Sequence, residues 1–386
     1  MVQQIPPTGL SNNRPFRNKI INGDFKIFQR ATAATTAGNN TYTTADRWKT
    51  QISTDGAMTT EQESLSLADQ VTTGSANAWE IKCTSTDSSL ASNQYALFLQ
   101  SIEAQFLQDA FYGTSDAKTL TCSFWVKSSL TGTYGFFVYK SDTTGYFLPI
   151  EFSISSADTW EKKIIEISPT AGSTTLITSS GGVINDDNGE GLAIGICLAM
   201  GSSYQGTNNT WTTSGHYTTS NQVNFLSSTS NNFYITSFQV EIGNDATDFE
   251  TLPFDVQLGR CQRYLEVMVD GRSVGSGTLS SGDSDEDFPG IGSNHNTQYA
   301  YMCLKCATTK RSSAPSLLTT NDTNHFRLYS NNTNDQLSTV FNAGTSSHHN
   351  LTIYFDYGSG SGWAQGSAAF CRLNNANAFV MVKDEL

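Results

Sequence analysis

FYITSFQVEIGNDATDFETLPFDVQLGRCQRY, residues 233–264, is the stretch from which the rest of the chain is read. It opens as a strand. Tyr234, Thr236, Phe238, Val240 and Ile242 fall on one face, and Ile235, Ser237, Gln239 and Glu241 on the other. Gly243-Asn244 is a turn signal that stops the strand. Pro253 has no N–H to give a ladder and marks the exit from the sheet. Asp255 is placed to cap a short helix over 256–264, with Val256, Leu258, Cys261 and Tyr264 as its apolar members. One stretch thus closes a β domain and leads by a helix into the C-terminal third of the chain.

Working outward, the 386 residues are enough for more than one core. Charged residues make up only 15%, while short alternating apolar runs separated by Gly, Ser, Thr and Asn recur throughout, which predicts an all-β protein. The net charge of −13, with a pI near 4.7, repels phosphate backbones and anionic lipid, so neither nucleic acid nor membrane insertion is expected. The polar start MVQQIPPTGLSNNRP has no apolar core of a signal peptide, which points to folding in a cytoplasm. On that reading the terminal Lys383-Asp384-Glu385-Leu386 is not read as a retention tag. The apolar run at 191–200 is too short for a membrane span and reads as a strand buried on both faces. Seven cysteines, an odd count in apolar contexts, read as reduced core residues. Cys303 and Cys306 have zinc-ligand spacing, but residues three apart on a strand face opposite ways, so no metal is expected.

Before the opening stretch, residues 1–16 carry three prolines and read as an extended arm. INGDFKIFQR predicts a strand through Ile21, Phe25 and Ile27 after an Asn22-Gly23 turn. Asp46-Arg47-Trp48 reads as a structural corner, with a sugar platform as the functional alternative. Ile102, Phe106 and Ala110 within 97–110 have helical spacing. Strands are expected over 120–127, 134–140, 147–154 and 160–167. Together 17–254 make a large jelly-roll sandwich, 255–264 a connecting helix, and 265–386 a smaller β-sandwich domain.

INGDFKIFQR, TTADRW, KTLTCSFWVKSSLTGTYGFFVY, TWEKKIIEI, NGEGLAIGICLAMGSSY, NFYITSFQVEIGNDATDFE, FDVQLGRCQRY and AFVMVKDEL succeed one another in that order. This order resembles a family of bacteriophage tail-fibre and related virion proteins, over residues 17–386. The chain departs from it at Leu265, where the family carries a second aromatic, and in the acidic loop Asp283, Asp285, Glu286, Asp287. The resemblance implies a carbohydrate-binding-module-like first domain, a homotrimer, virion partners met through the N-terminal arm, and a place in a virion, as a tail fibre assembled in a bacterial cytoplasm.

Catalysis finds little support. Glu103, Glu151, Glu241 and Glu250 have the residue type of a glycosidase pair but no spacing that singles one out. No nucleophile elbow, zinc-protease or phosphate-loop motif is present. No cofactor is expected. The long polar loop 201–226 holds Tyr204, Trp211, His216 and Tyr217 beside Asn208 and Asn209, a composition suited to stacking on pyranose rings and bonding their hydroxyls. Trp211 has a second reading, as the lid of the sandwich. Residues 185–190, NDDNGE, have the composition of a calcium loop but read more simply as a turn. The function expected is a non-enzymatic fibre subunit binding host surface polysaccharide. The alternatives are a capsid decoration, head fibre or tail adaptor without its own glycan, and a depolymerase.

Overall fold

The computed structural model describes residues 15–270, 291–296, 298–320, 325–330, 334–356, 364–373 and 378–386. The greater part of the arm 1–16 and the acidic loop with Asp283, Asp285, Glu286 and Asp287 lie outside the described residues. The chain forms two compact units, one of residues up to Gln257 with Leu386, the other Leu258–Glu385.

The first unit is a two-sheet sandwich. Its strands are β1 (Thr35–Thr36), β2 (Lys49–Ser53), β3 (Ala57–Ser64), β4 (Asn77–Ser85), β5 (Tyr95–Glu103), β6 (Leu120–Ser128), β7 (Gly132–Lys140), β8 (Tyr146–Ile154), β9 (Glu161–Ile167), β10 (Glu190–Met200) and β11 (Asn232–Ile242). One sheet has the order β1-β3-β4-β11-β6-β9 and the other β2-β5-β10-β7-β8, all neighbours antiparallel. Each strand turns alternate residues inward, so Phe98, Phe136, Ile194 and Leu148 from one sheet meet Trp79, Phe124, Phe233 and Val240 from the other. β10 is buried along nearly its whole length, as expected of a central strand covered on both faces.

Three local expectations are corrected. In β11 the pairing with β6 slips between Thr236 and Gln239, and Ser237 takes a φ of 51°. That bulge inserts one residue and exchanges the faces. Phe233 and Ile235 point to the core before it and Phe238 and Val240 after it, so Tyr234 does not share a face with Phe238. The segment around Ile21, Phe25 and Ile27 is not a strand. Asn22 and Phe25 have positive φ, and the Asn22 side chain closes a turn, accepting from Lys26 N at 3.0 Å and Ile27 N at 2.9 Å and donating to Ile27 O at 2.8 Å. Residues 97–110 are not helical in their first half: β5 runs to Glu103, and a 3-10 segment, Ala104–Ala110, comes after it.

The Asp46-Arg47-Trp48 corner is internal. Trp48 is fully buried among Phe25, Trp79, Phe98 and Phe238, so the sugar-platform alternative fails there. Helix α1 (Leu67–Thr73) is bounded by its caps: Ser66 Oγ accepts from Asp69 N, and Gly74 closes the other end with φ 74°. Helix α2 covers Phe254–Gln262. Pro253 O accepts the first helical bond, from Gln257 N at 3.0 Å, so the helix starts earlier than expected and Asp255 lies inside its first turn instead of capping it.

After α2, the regular elements among the described residues of the second unit are all strands. β12 (Leu265–Asp270), β15 (Ser316–Thr319) and β20 (Phe379–Lys383) form a three-stranded sheet. β13 (Gly292–Asn294), β14 (Tyr299–Lys305), β16 (Phe326–Ser330), β17 (Asn334–Ser347), β18 (Asn350–Asp356) and β19 (Ala368–Leu373) close into a barrel. Its core includes Met302, Leu304, Phe326, Ile353, Phe355 and Val380. Lys310 and Glu266, both buried, pair at 2.6 Å, and Glu266 also accepts from Ala307 N at 2.8 Å, which leaves both charges bonded. Cys306 is buried and Cys303 exposed, on opposite sides as the strand spacing predicted.

Candidate functional site: an aromatic row on the five-stranded sheet

β5, β10, β7 and β8 turn a second set of side chains away from the sandwich core. Register places Ser101, Ala193, Tyr139 and Phe147 in one cross-strand row of that outer face. Leu99, Gly195, Phe137 and Pro149 form the next row, with Lys49 of β2 beside Leu99. Leu97, Leu99, Phe137, Ala193, Cys197 and Met200 are the apolar floor, and Tyr95, Tyr139, Tyr204 and Tyr217 pack on it half-buried.

The rings touch in sequence. Tyr95 meets Tyr204 at 5.5 Å, Tyr204 meets Tyr217 at 6.2 Å, Tyr217 meets Phe147 at 5.2 Å, and Phe147 stacks on Tyr139 at 4.6 Å. Two of these rings come from loop 201–226, which lies across the sheet. Isolated bridges join it to the sheet at Thr212 with Phe147 and Gln222 with Thr133, and a third, Gln205 with Thr218, closes the loop on itself. Gly135 of β7 makes the close approach possible, since a Cβ there would stand 2.4 Å from Thr218 Oγ1.

Polar groups flank the row. Ser101 Oγ donates to Glu190, and Asn39 faces the Tyr95 hydroxyl at 3.5 Å. Burial, aided by Glu190 and Asp142, raises the Tyr139 hydroxyl, and burial foremost pushes Tyr217 up to about 12. Both phenols therefore stay protonated at neutral pH and keep donor and acceptor capacity.

The four expected site residues separate. Tyr204 and Tyr217 lie in the row. His216 is half-buried in the same loop and packs beside Gly206, outside the ring sequence. Trp211 is 2% exposed, belongs to the sandwich core, and donates Nε1–H to Ser168 O at 2.8 Å, so its faces are unavailable and it leaves the candidate site. Tyr95, Tyr139 and Phe147 were missed because they sit on strands between core residues, where an aromatic reads as packing; their place in the outward alternation was the signal.

The carboxylates weighed for catalysis have local partners. Glu241 accepts from Thr247 N at 2.8 Å, and Glu250 from Phe16 N at 2.6 Å and Asn18 N at 3.0 Å. Glu151 is held by Thr219 and Asn221, and Glu103 by Gln105. In the turn 185–190, Asp187 accepts from Gly189 N at 2.8 Å, while Asn185 N binds Asp142 at 3.1 Å. Among the described residues no group of three or more His, Cys, Asp or Glu is placed to hold a metal ion.

No protein-family model and no curated protein matches the chain. Solved structures similar to it include a putative sugar binding protein from Bacteroides thetaiotaomicron, at 15% identity and TM-score 0.33, covering 58% of this chain and 100% of that one. The family 11 carbohydrate-binding module of a cellulosomal cellulase from Clostridium thermocellum is similar at 13% identity and TM-score 0.27, covering 56% of this chain and 98% of the module. The enzymatically active domain of bacteriophage CBA120 tailspike protein 4 is similar at 11% identity and TM-score 0.28, covering 60% of this chain and 22% of the tailspike chain. These likenesses assign this chain no ligand.

Proposed function

We propose that this chain is a non-enzymatic carbohydrate-binding subunit of a phage virion fibre, holding host surface glycan on the outer face of the five-stranded sheet. The observation that carries the reading is the row Tyr95, Tyr204, Tyr217, Phe147, Tyr139, five touching rings spread over strands and loop. Aromatic faces receive the C–H faces of sugar rings, and phenol hydroxyls with Glu190 and Asn39 supply donors and acceptors for sugar hydroxyls. The virion setting rests on the order of motifs over residues 17–386, as do the homotrimer and attachment through the N-terminal arm. Repetition of a weak site on an oligomer would raise adsorption by effective concentration.

The test is the pair Tyr204→Ala and Tyr217→Ala, singly and together, against the wild type. Migration through gels containing soluble β-glucan, galactan or polysaccharide extracted from the host measures binding, with far-UV circular dichroism as the folding control. Loss of retardation in the folded double variant is the expected result. A wild type unretarded by every polymer would sink the glycan reading and leave a structural decoration or adaptor role. Release of reducing ends from the host polymer would overturn the non-enzymatic assignment.

A further inference from the structure

The outer face of the five-stranded sheet has a polar end that the sequence of touching rings does not include. Cys197, Gly135 and Glu151 form a cross-strand row over β10, β7 and β8, one row past Gly195, Phe137 and Pro149. Ile150 and Phe152, on either side of Glu151, point into the sandwich core, so the Glu151 side chain points outward. Tyr217 packs on Phe137 at 5.0 Å and on Phe147 at 5.2 Å, and two residues later Thr219 reaches Glu151. One short run of loop 201–226 therefore touches both the ring row and this carboxylate.

The carboxylate is fixed through one oxygen and open at the other. Oε1 accepts from Thr219 Oγ1 and from Asn221 Nδ2, the latter at 2.9 Å. Glu151 is half-buried, and its Oε2, with no hydrogen-bond or ion-pair partner among the described residues, keeps surface open to solvent. Asn208 is tied to the same residue: its Oδ1 accepts from Glu151 N at 2.9 Å, and its Nδ2 makes no bond among the described residues. Asn208 and Asn221 are both exposed. A fixed acceptor and a free amide donor thus belong to one small patch, and two hydroxyls of a sugar can satisfy them, one by donating and one by accepting. Phe147 and Glu151 are four residues apart on β8, about 13 Å at the rise of a strand, a span longer than one pyranose ring. A ligand that uses both ends is a chain. Its units at this end are neutral, because a uronate there would meet the open carboxylate oxygen with like charge.

We propose that Glu151, with Asn208 beside it, is the polar end of the glycan site and selects a neutral glycan chain, one unit of which donates a hydroxyl to Glu151 Oε2 and accepts from Asn208 Nδ2 while its neighbours lie on the rings. The assignment rests on the reading of the ring row as a glycan site and names the class of polymer that site takes.

The test is migration of the full-length protein through gels containing soluble β-glucan, galactan or the neutral fraction of host polysaccharide, each unmodified and carboxymethylated. Glu151→Gln changes little but the open oxygen. Its amide oxygen still serves Thr219 and Asn221, since a flipped amide would set its NH2 against that of Asn221. The folded variant should need about tenfold more of whichever unmodified polymer retards the wild type, because a charge-assisted acceptor is lost. Its preference for the unmodified over the carboxymethylated polymer should narrow severalfold. Tyr204→Ala/Tyr217→Ala should instead weaken retardation by both forms. Should Glu151→Gln not fold by circular dichroism, Asn208→Asp decides in its place. It keeps the oxygen facing Glu151 N and loses only the donor, so weaker retardation supports the proposal and wild-type retardation overturns it. Wild-type retardation and preference in folded Glu151→Gln, with binding lost in the tyrosine variant, would overturn this proposal and leave the ring row as the glycan site. A wild type retarded only by an anionic host fraction would overturn the selection for neutral chains. A wild type retarded by no polymer would sink the glycan reading, and this proposal with it.

Discussion

Lys140 shows how much one residue can organise without marking itself in the sequence. It ends β7 with no exposed surface, and its ammonium donates to the main-chain carbonyls of Asp142, Thr144 at 3.2 Å and Gly181 at 2.8 Å. The β7–β8 turn and the turn at 180–182 thus share one cation, which also stands 5.3 Å from the Tyr146 ring. Lys140→Met removes three donors and leaves three carbonyls short of partners, which should cost about 2–4 kcal/mol in urea unfolding. Burial holds the ammonium down at about 8, with Asp142 opposing. An unfolded lysine titrates near about 10.4, so between those values the unfolded chain binds more protons. Wild-type stability relative to Lys140→Met should therefore rise from about pH 8 to about pH 10; a flat or falling difference would show that the carbonyls keep the ammonium charged throughout. In the sequence Lys140 is one more lysine at a strand end, because its burial depends on a segment forty residues away. Trp211 is the reverse case. Its loop composition suggested a ligand, and its indole instead bonds Ser168 and fills the core. Trp211→Ala should destabilise by about 3–5 kcal/mol, read from thermal or urea unfolding, instead of acting on binding alone.

At the scale of elements, period-two alternation made β6 and β7 legible, and β10 was read instead from its unbroken apolar run, the mark of a strand buried on both faces. β5 was not legible, because Leu97 and Leu99 face outward onto the second apolar floor while Phe98 and Ile102 face the core, and apolar residues on both faces erase the alternation. The bulge at Ser237 was hidden for a different reason: an inserted residue changes the face of everything after it without changing the composition. The same limit hid much of the aromatic row, since Tyr95 and Tyr204 become neighbours only once loop 201–226 folds back over the sheet. That loop gives an element-scale prediction. A methyl at Gly135 would meet Thr218 Oγ1 at 2.4 Å, so Gly135→Ala should lift the loop from β7. Polysaccharide retardation should fall while the core signal in near-UV circular dichroism persists; unchanged retardation would show that Tyr217 does not depend on this approach. Helix α1 tests a simpler rule: Ser66→Ala removes the cap bond to Asp69 N and should cost about 1 kcal/mol in unfolding free energy.

Among the described residues each of the two units has a hydrophobic core of its own, and the chain as a whole is strongly acidic. Its net charge of −13 bears directly on what the proposed binding face can hold. Such a surface repels uronic-acid and phosphate-bearing polymers at long range and neither attracts nor repels a neutral glycan. The five-ring row brings apolar faces and phenol hydroxyls, those of Tyr139 and Tyr217 held protonated by burial, whose contacts are short-ranged and little affected by counter-ions. Retardation in a neutral polysaccharide gel should therefore change by less than about twofold between roughly 0.05 and 0.5 M salt, a range over which the screening length falls severalfold. Binding to a uronate polymer, if present at all, should instead strengthen as salt weakens the repulsion. A neutral-polymer affinity that collapses on adding salt would mean that lysines and arginines carry the contact, and would move the site away from the tyrosine row. If the chain assembles into the proposed homotrimer, the same titration on single-copy and oligomeric preparations separates intrinsic affinity from avidity, because effective concentration multiplies binding without altering its salt slope per site.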